Sequence, residues 1–410
     1  MKNHKLIFIL FFITVSGLFL FLYLTQQKNN AFLTNTSINT IAKDIKQELP
    51  TAAQELITGN KDSRLDKTTV SANKPTELSN QKSTEHFDEP YIVECNAPDN
   101  DTFPEIRTEI DKRNNQLIQQ LDLAEPSELL ASILFKPKIF TQNNENIPAK
   151  KQLIQYKKEQ IDALLTYHQQ HPNEPLSYAR LLTECSKSTQ NYCTDDFFNK
   201  VNEIDKNNGA LWLTIANIQL NRSNFKFANK ALYQASISPS FSIDYFELIQ
   251  LHQNVVVKYQ PNQSPLTLAS SIGFAAAVSV SIVESIDYCR TSNIEDLWLQ
   301  QTCLQLGLQM EAHAEIIIYR LFGIALQKIY HEKFNNIELV AKFEDKSQKP
   351  YQGIDIALMN KASALMFYDN DLARQWLNTG IQFGEKVAFT KVIEEAIWRS
   401  KDPNYNPCPK

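Results

Sequence analysis

The apolar and polar positions of the chain divide it into three regions. Residues 6–24 contain no charged side chain and are almost entirely apolar. Residues 25–90 are polar, and residues 91–410 place apolar side chains at the spacing of helices with one buried face. The pattern therefore predicts an all-α protein in which a membrane segment and a linker precede a folded domain.

The first region has the length of a membrane-spanning helix. As a helix it would be about 28 Å long, which is enough to cross the apolar layer of a bilayer. Lys2 and Lys5 precede it without an acidic neighbour, so the positive-inside rule predicts that residues 1–5 are cytoplasmic and the rest of the chain lies outside. We interpret residues 6–24 as an uncleaved signal anchor. A cleaved secretory signal, which usually has a shorter apolar core, is the alternative.

The second region has the composition of a flexible polar linker. Residues 25–90 are rich in Asn, Gln, Ser, Thr and Lys and carry 8 basic and 9 acidic residues. Such a composition cannot bury enough apolar surface to offset the entropy of folding. We therefore expect a disordered segment here.

The third region, residues 91–410, is expected to be helical. The whole chain has only nine glycines, which argues against dinucleotide-binding and P-loop folds with their glycine-rich turns. Outside the repeats described below, helices are predicted at 104–122, 127–135, 149–170, 266–288, 294–333, 354–368, 371–383 and 385–400.

The stretch 266–283 also lacks charged residues, so it could be either a buried helix or a second membrane span. Its serines, threonine and alanines make membrane insertion unfavourable compared with the leucines and phenylalanines of residues 6–24. A buried helix is favoured here, and a second membrane span is the alternative.

Two neighbouring stretches, 172–205 and 206–239, align with a shift of 34 residues. Polar turn residues fall on polar turn residues, and Tyr178 falls on Trp212. A period of 34 is typical of a helix-turn-helix repeat, in which each pair of helices needs a stacked neighbour to bury its remaining face.

The second of these units resembles the tetratricopeptide-repeat family. Trp212 and Ala216 stand at the family's aromatic and small positions in the first helix, and Ala228, Leu232 and Ala235 follow along the second. The resemblance covers residues 172–240 and implies a solenoid of helical hairpins that binds a protein or peptide. The groove that it implies is lined by first-helix residues, namely Thr183, Lys187, Leu213, Asn217 and Asn221. Another α-helical repeat family is the alternative.

All six cysteines lie beyond the predicted anchor. Their even number favours disulfides in an oxidising compartment. Structural zinc sites need closely spaced ligand pairs such as C-x2-C, and no two cysteines are that near. Unpaired thiols and a metal or redox role are the alternatives.

The placement of the cysteines on predicted helices favours particular pairs. Cys185 ends the first helix of one repeat unit and Cys193 begins the second, so a disulfide between them would staple a hairpin. A second close pair repeats this arrangement, and the outer pair flanks the folded region. The expected pairs are Cys185 with Cys193, Cys289 with Cys303, and Cys95 with Cys408.

Candidate catalytic chemistry is sparse. A net charge of −5 supplies no basic field that would attract nucleic acid. His168, His171 and Glu174 come nearest to a metal set, but Pro172 ends the helix between them, and their spacing differs from that of helical zinc enzymes. No metal, cofactor or catalytic residue is predicted.

These observations favour a single-pass membrane protein whose helical domain lies outside the cytoplasm, preferably in a bacterial periplasm, and binds a protein or peptide. The alternative is a helical enzyme of the cell envelope that acts on a wall or lipid substrate. A deep pocket that gathers acidic or histidine side chains with shifted pKa values would favour the enzyme.

Overall fold

The computed structural model describes residues 90–95, 103–136, 149–187, 191–260, 265–276 and 282–408. The predicted anchor and nearly all of the predicted linker lie outside these residues. Within them the chain forms helices and no β-strand, which confirms the all-α class. None of the described helices is both long enough and apolar enough to cross a membrane.

The helices follow one another through short turns. In chain order they are α1 Phe103–Gln120, α2 Pro126–Leu134, α3 Ala149–Gln170, α4 Pro175–Lys187, α5 Asp195–Asn199, α6 Val201–Ile204, α7 Gly209–Asn221, α8 Phe225–Ile237, α9 Tyr245–Tyr259, α10 Pro265–Ala276, α11 Val283–Thr291, α12 Leu297–His313, α13 Ile317–Lys333, α14 Ile337–Gln348, α15 Ile356–Met366, α16 Asn370–Phe383 and α17 Glu385–Ser400. The bounds of α3, α16 and α17 agree with the sequence pattern to within one residue.

Short polar side chains start several of these helices. Asn208 accepts a hydrogen bond from the backbone N–H of Ala210 at 3.1 Å, which caps α7. Asp355 and Asp369 each accept two backbone N–H groups at the first turns of α15 and α16. Each such cap stabilises its helix by about 1 kcal/mol.

Helices α4 to α8 occupy the region of the 34-residue period, and α4 and α7 begin 34 residues apart. Tyr178 is fully buried, and its hydroxyl donates to the carbonyl oxygens of Phe197 and Phe198 at 3.1 and 3.2 Å. Trp212 donates from Nε1 to the carbonyl oxygen of Lys206 at 2.8 Å. The two aligned aromatic side chains therefore each tie a first helix to a neighbouring segment.

The prediction of one helix over 294–333 is wrong, because the structure has α12 and α13 there, joined at Ala314–Ile316. The backbone N–H of Glu315 donates to the carbonyl oxygen of Phe241 at 3.0 Å, so a tertiary bond replaces a helical one. The two helices then pack closely, since a Cβ on Gly307 would lie 2.8 Å from the carbonyl oxygen of Gly323.

The predicted helix 266–288 is also replaced by two helices. Helix α10 ends at Ala276, α11 begins at Val283, and residues 277–281 lie outside the described part of the chain. Helix α11 lies against α7, α12 and α13. Helix α11 therefore lies on the helix that carries Leu213, Asn217 and Asn221 of the predicted groove.

Buried side chains form two clusters that share α9. The first cluster draws on α1 to α8 and α11 to α13 and includes Val255 of α9. The second draws on α9, α10 and α15 to α17 and includes Ile92 and Phe246. The ring of Phe246 lies directly on Gly380, where an added Cβ would clash with it. Helix α9 therefore connects the two halves of the core.

Candidate functional site

The structure buries most of the predicted groove residues. Thr183 is 3% exposed, and Leu213 and Asn217 are each 1% exposed. Asn221 is exposed, and the side chain of Lys187 lies outside the described part. Three of the five residues are therefore enclosed by the protein.

Helix α11 covers the face of α7 that the sequence analysis assigned to a ligand. The Oδ1 atom of Asn217 accepts hydrogen bonds from the backbone N–H of Ser285 at 3.0 Å and from its hydroxyl at 2.5 Å. One turn further along α7, Asn221 donates to Glu284 at 3.4 Å. This part of the predicted groove is filled by the chain itself.

The six cysteines come together in three pairs at disulfide distance, which are the pairs expected from the sequence. The Cα–Cα distances are 5.2 Å for Cys95 and Cys408, 5.8 Å for Cys185 and Cys193, and 5.9 Å for Cys289 and Cys303. The last pair joins α11 to α12. The ammonium group of Lys333 donates to the carbonyl oxygens of Cys289 and Ser292 at 2.7 and 2.8 Å, which caps the end of α11.

An open cleft remains beside the covered face, between α4, α7 and the segment 242–248. Its cavity volume is about 20 Å³, which is room for about one water molecule. Its apolar wall consists of Leu176, Ala179, Ala210, Leu211, Ile243 and Leu248, and its polar lining residues are Arg180, Thr183, Thr214, Ser242 and Asp244. Of the predicted groove residues, Thr183 lines this cleft.

The hydroxyl groups in the cleft use their hydrogens within the protein. Thr183 and Thr214 donate to the carbonyl oxygens one turn earlier in their own helices, at 3.0 and 2.8 Å. Ser242 donates to Glu315 at 2.7 Å. Thr183 and Thr214 are 3% and 2% exposed, and the Ser242 oxygen already accepts from the backbone N–H of Asp244, so the exposed lining of the cleft is mainly apolar.

Arg180 is the cation among the described residues of the cleft lining. Its Nη2 atom lies 3.4 Å from Glu184 of the same helix. Its Nη1 atom is buried and has no hydrogen-bond partner in the described part. One terminal nitrogen of the guanidinium group is therefore paired and the other is not.

Asp244 lies where the segment enters α9. Its backbone is in the left-handed region, with φ at 58°, and its N–H donates to the hydroxyl of Ser242 at 3.0 Å. No hydrogen bond or ion pair to its carboxyl group is found in the described residues. Burial raises the pKa of Asp244 well above its usual range, and the negative charges of Glu247 and Glu315 act in the same direction.

Glu315, which is distant in sequence, caps the N-terminus of α9 with its carboxylate. Its carboxylate accepts hydrogen bonds from the hydroxyl of Ser242 at 2.7 Å, from Ile243 N at 3.1 Å and from Phe246 N at 2.9 Å. A carboxylate is the natural partner of the partial positive charge at a helix N-terminus. Glu315 therefore acts as a structural cap for the wall of the cleft.

Two more carboxyl groups complete this acidic cluster. Glu385 accepts a hydrogen bond from Ile317 N at 2.6 Å and so caps α13. Burial raises the pKa of Glu385 to about 7, and it raises the pKa of Glu247 to about 7 as well, with the charge of Glu315 adding to both. One Oε atom of Glu247 is buried without a hydrogen-bond partner in the described part.

The histidine set singled out in the sequence has a local role. Glu174 accepts the backbone N–H groups of Leu176 at 3.1 Å and Ser177 at 2.6 Å, and so caps α4. The Nδ1 atom of His168 lies 3.0 Å from the hydroxyl oxygen of Ser177, and burial lowers the pKa of His168. This pair is sealed from solvent, since His168 is 4% and Ser177 0% exposed.

Sequence reasoning did not identify Asp244 as a site residue. No motif marks it, because Asp before an apolar helix is the ordinary signal of an N-cap. Its side chain does not cap α9, since Glu315 takes that place. Only the fold shows that Asp244 lines the cleft.

No family model, curated protein or solved structure matches the chain. What the cleft can bind therefore has to be argued from its shape and charge. Because its exposed lining is mainly apolar, the cleft suits a ligand that brings apolar groups.

Proposed function

We propose that this chain is a membrane-anchored helical scaffold outside the cytoplasm that binds an extended segment of a protein or peptide partner. The observation that carries this proposal is the open cleft between α4, α7 and the segment 242–248. Apolar side chains of a partner would pack against its wall, since the exposed lining is mainly apolar. The resemblance to tetratricopeptide repeats supports the same use of first helices.

The proposed location rests on the apolar segment 6–24 and on the cysteines. Three cysteine pairs at disulfide distance favour an oxidising space, because thiols are kept reduced in most cytosols. The lysines before the apolar segment favour a cytoplasmic N-terminus. A bacterial periplasm meets both conditions.

One observation favours an enzyme of the cell envelope as the second candidate. The cleft is lined by Asp244, a half-buried carboxyl group whose pKa is raised above its usual range, and carboxyl groups with raised pKa values can serve as general acids. Two other carboxyl groups of the acidic cluster, Glu315 and Glu385, are engaged as helix caps. Binding needs only the open cleft, whereas catalysis also needs carboxyl groups that are free to transfer protons. We therefore rank the binding function first.

Photocrosslinking in the native cell tests the binding function. A photoreactive amino acid at position 179 lies in the cleft wall, and one at position 342 lies on the exposed surface of α14. We expect a discrete crosslinked product from position 179 and none of the same mass from position 342. The Ala179→Trp variant, which places a larger side chain in the cleft, should lose the partner, and circular dichroism checks that the variant is still folded.

Two results would contradict the proposal. One is identical products from the two positions, which would mean collision with abundant neighbours. The other is recovery of the same partner with the Ala179→Trp variant. Turnover of a wall or lipid substrate that Asp244→Asn abolishes would instead favour the enzyme.

A further inference from the structure

Helix α17 is the last of the described helices, and one of its faces is covered by the protein. In the described part of the chain it packs on α15 and α16. Its buried side chains belong to the second core cluster and are Ala388, Val392, Ile393 and Ala396. In proteins built of stacked helices, the outer face of an end helix is normally polar, because no further helix covers it. The outer face of α17 is only partly polar.

Four exposed side chains form a stripe along the outer face of α17. They are Val387, Lys391, Glu394 and Trp398, and steps of four, three and four residues place them on one side of the helix. Trp398 is 68% exposed and Val387 is 38% exposed. The stripe extends over about three turns, or about 16 Å. It therefore has an apolar residue at each end and a basic and an acidic residue between them.

The order of these four residues makes the stripe complementary to itself. The pair Val387 and Trp398 and the pair Lys391 and Glu394 have the same midpoint, between residues 392 and 393. A two-fold axis through that midpoint places a second α17 antiparallel to the first. Val387 of each copy then lies opposite Trp398 of the other, and Lys391 opposite Glu394. Every apolar side chain meets an apolar one, and every charge meets its opposite.

We propose that this stripe is an interaction surface for a second copy of the chain, with the two α17 helices packed antiparallel. Steps of four and three residues are those of the seam between two packed helices, in which the side chains of one helix fit between those of the other. A parallel pair of helices would instead place every residue opposite itself, lysine against lysine and glutamate against glutamate. The sequence of the stripe therefore selects the antiparallel arrangement.

The two charged residues are placed to reach the second copy. The ammonium group of Lys391 lies 2.7 Å from the carboxylate of Glu394 in the same helix, and the two side chains are 54% and 57% exposed. Two such pairs meet across the two-fold axis and form a network of four alternating charges. The contact involves one helix from each copy and is smaller than a standard interface of about 1,600 Å², so a reversible dimer is expected.

A lipid surface fits the stripe less well. Insertion of Val387 and Trp398 into a bilayer would bring Glu394, which lies between them, against the headgroups. The cytoplasmic and other anionic membrane surfaces attract basic segments and repel a carboxylate. A second copy, in contrast, supplies a lysine at that point.

Charge exchange at the two middle positions tests the proposal with the full chain in a non-ionic detergent. Sedimentation over a range of protein concentrations gives the dissociation constant of the dimer. Lys391→Glu leaves two acidic groups in the stripe, and Glu394→Lys leaves two basic ones. Each variant alone should dimerise at least about tenfold more weakly than the native chain, because like charges then face each other across the axis.

The two variants should restore dimerisation when they are mixed. The acidic stripe of one then meets the basic stripe of the other, so we expect a mixed dimer with the native dissociation constant. The double variant Lys391→Glu/Glu394→Lys should dimerise like the native chain for the same reason. Trp398→Ala removes an apolar contact at both ends of the seam and should weaken the native dimer as well.

Arg374→Glu is the matched control, because Arg374 and Asp371 form an exposed pair at the same spacing of three residues on α16. This variant should keep the native dissociation constant, and circular dichroism checks that every variant is folded. A dimer formed by another part of the chain would be insensitive to all these substitutions and would overturn the proposal. A native chain that stays monomeric at all concentrations tested, or single variants that form no mixed dimer, would overturn it too.

Discussion

The side-chain oxygen of Asn217 accepts hydrogen bonds from both the backbone N–H and the hydroxyl of Ser285, a residue 68 positions later in the chain. Both residues are 1% exposed. Helix α11 is therefore docked on α7 by a buried polar contact. The repeat pattern assigned the side chain of Asn217 to ligand binding, but this side chain bonds to Ser285 instead.

Substitution Asn217→Ala is expected to destabilise the domain. It leaves the backbone N–H of Ser285 buried without an acceptor, which costs roughly 1–3 kcal/mol. Denaturant unfolding followed by circular dichroism measures the loss.

Asn221→Ala is the matched control, because Asn221 lies one turn away on the same helix but is exposed and makes a 3.4 Å contact. Its effect should stay within about 0.5 kcal/mol. Equal losses in the two variants would contradict the docking role of Asn217.

The composition of α7 contained a signal that its face would be covered. Every residue from Gly209 to Gln219 is buried, and the sequence there is apolar nearly all round the helix. A helix of this kind is enclosed over most of its circumference, and three of its residues, Ala210, Leu211 and Thr214, line the cleft. The repeat resemblance assigned roles from position alone, and the all-round apolar pattern would have corrected it.

The boundaries that the sequence predicted well are those with local causes. Helix α17 follows Gly384, whose φ of 79° suits glycine, and α16 follows the capping residue Asp369. The break at Ala314–Ile316 has no local cause, since no glycine, proline or short polar cap stands there. It forms because Glu315 bonds to the distant segment 241–246, which pattern reasoning cannot see.

Gly380→Ala is expected to destabilise the second core cluster. The added Cβ would meet the fully buried ring of Phe246, and that ring also packs against Trp376 at a centroid distance of 5.1 Å. Overpacking of this kind costs typically about 1–3 kcal/mol.

The control for this variant is Gly273→Ala on α10, where nothing lies within 4 Å of the new Cβ. Alanine is favoured over glycine inside a helix by about 1 kcal/mol, so this variant should be slightly stabilised. Thermal unfolding of both proteins tests the pair. A gain in melting temperature for Gly380→Ala would show that the Phe246 ring moves aside at no cost.

The acidic cluster should make the domain less stable as the pH rises toward neutrality. The pKa of Glu247 is raised from 4.5 to about 7, so the folded protein binds more protons than the unfolded chain within that window. Its stabilising contribution is complete below 4.5 and is lost as the pH rises to about 7. Glu385, with its pKa also raised to about 7, adds to the same trend.

Melting temperatures measured across this window check the trend. Glu247→Gln should flatten the decrease, because the amide does not titrate. Glu394→Gln, at an exposed position on α17, should leave it unchanged. The buried His252, whose pKa is lowered to about 4, acts in the opposite direction in both proteins, so the same pH trend in the native chain and in Glu247→Gln would contradict the effect.

The three disulfides are expected to differ in how fast they are reduced in the native protein. Cys95 and Cys408 are half-buried, whereas Cys185 and Cys193 are each 5% exposed. Cys289 and Cys303 are 1% and 3% exposed. Exchange requires a thiolate to reach a sulfur atom, so a small dithiol reductant should open the outer pair first.

Timed alkylation followed by peptide mass spectrometry should therefore label Cys95 and Cys408 before the other four. The helices should persist at that stage, because Tyr405 still donates to Asp369 and Val93 to Ser400, which keeps the two ends of the domain in place. Labelling of all six cysteines at one rate would mean that reduction proceeds through global unfolding instead.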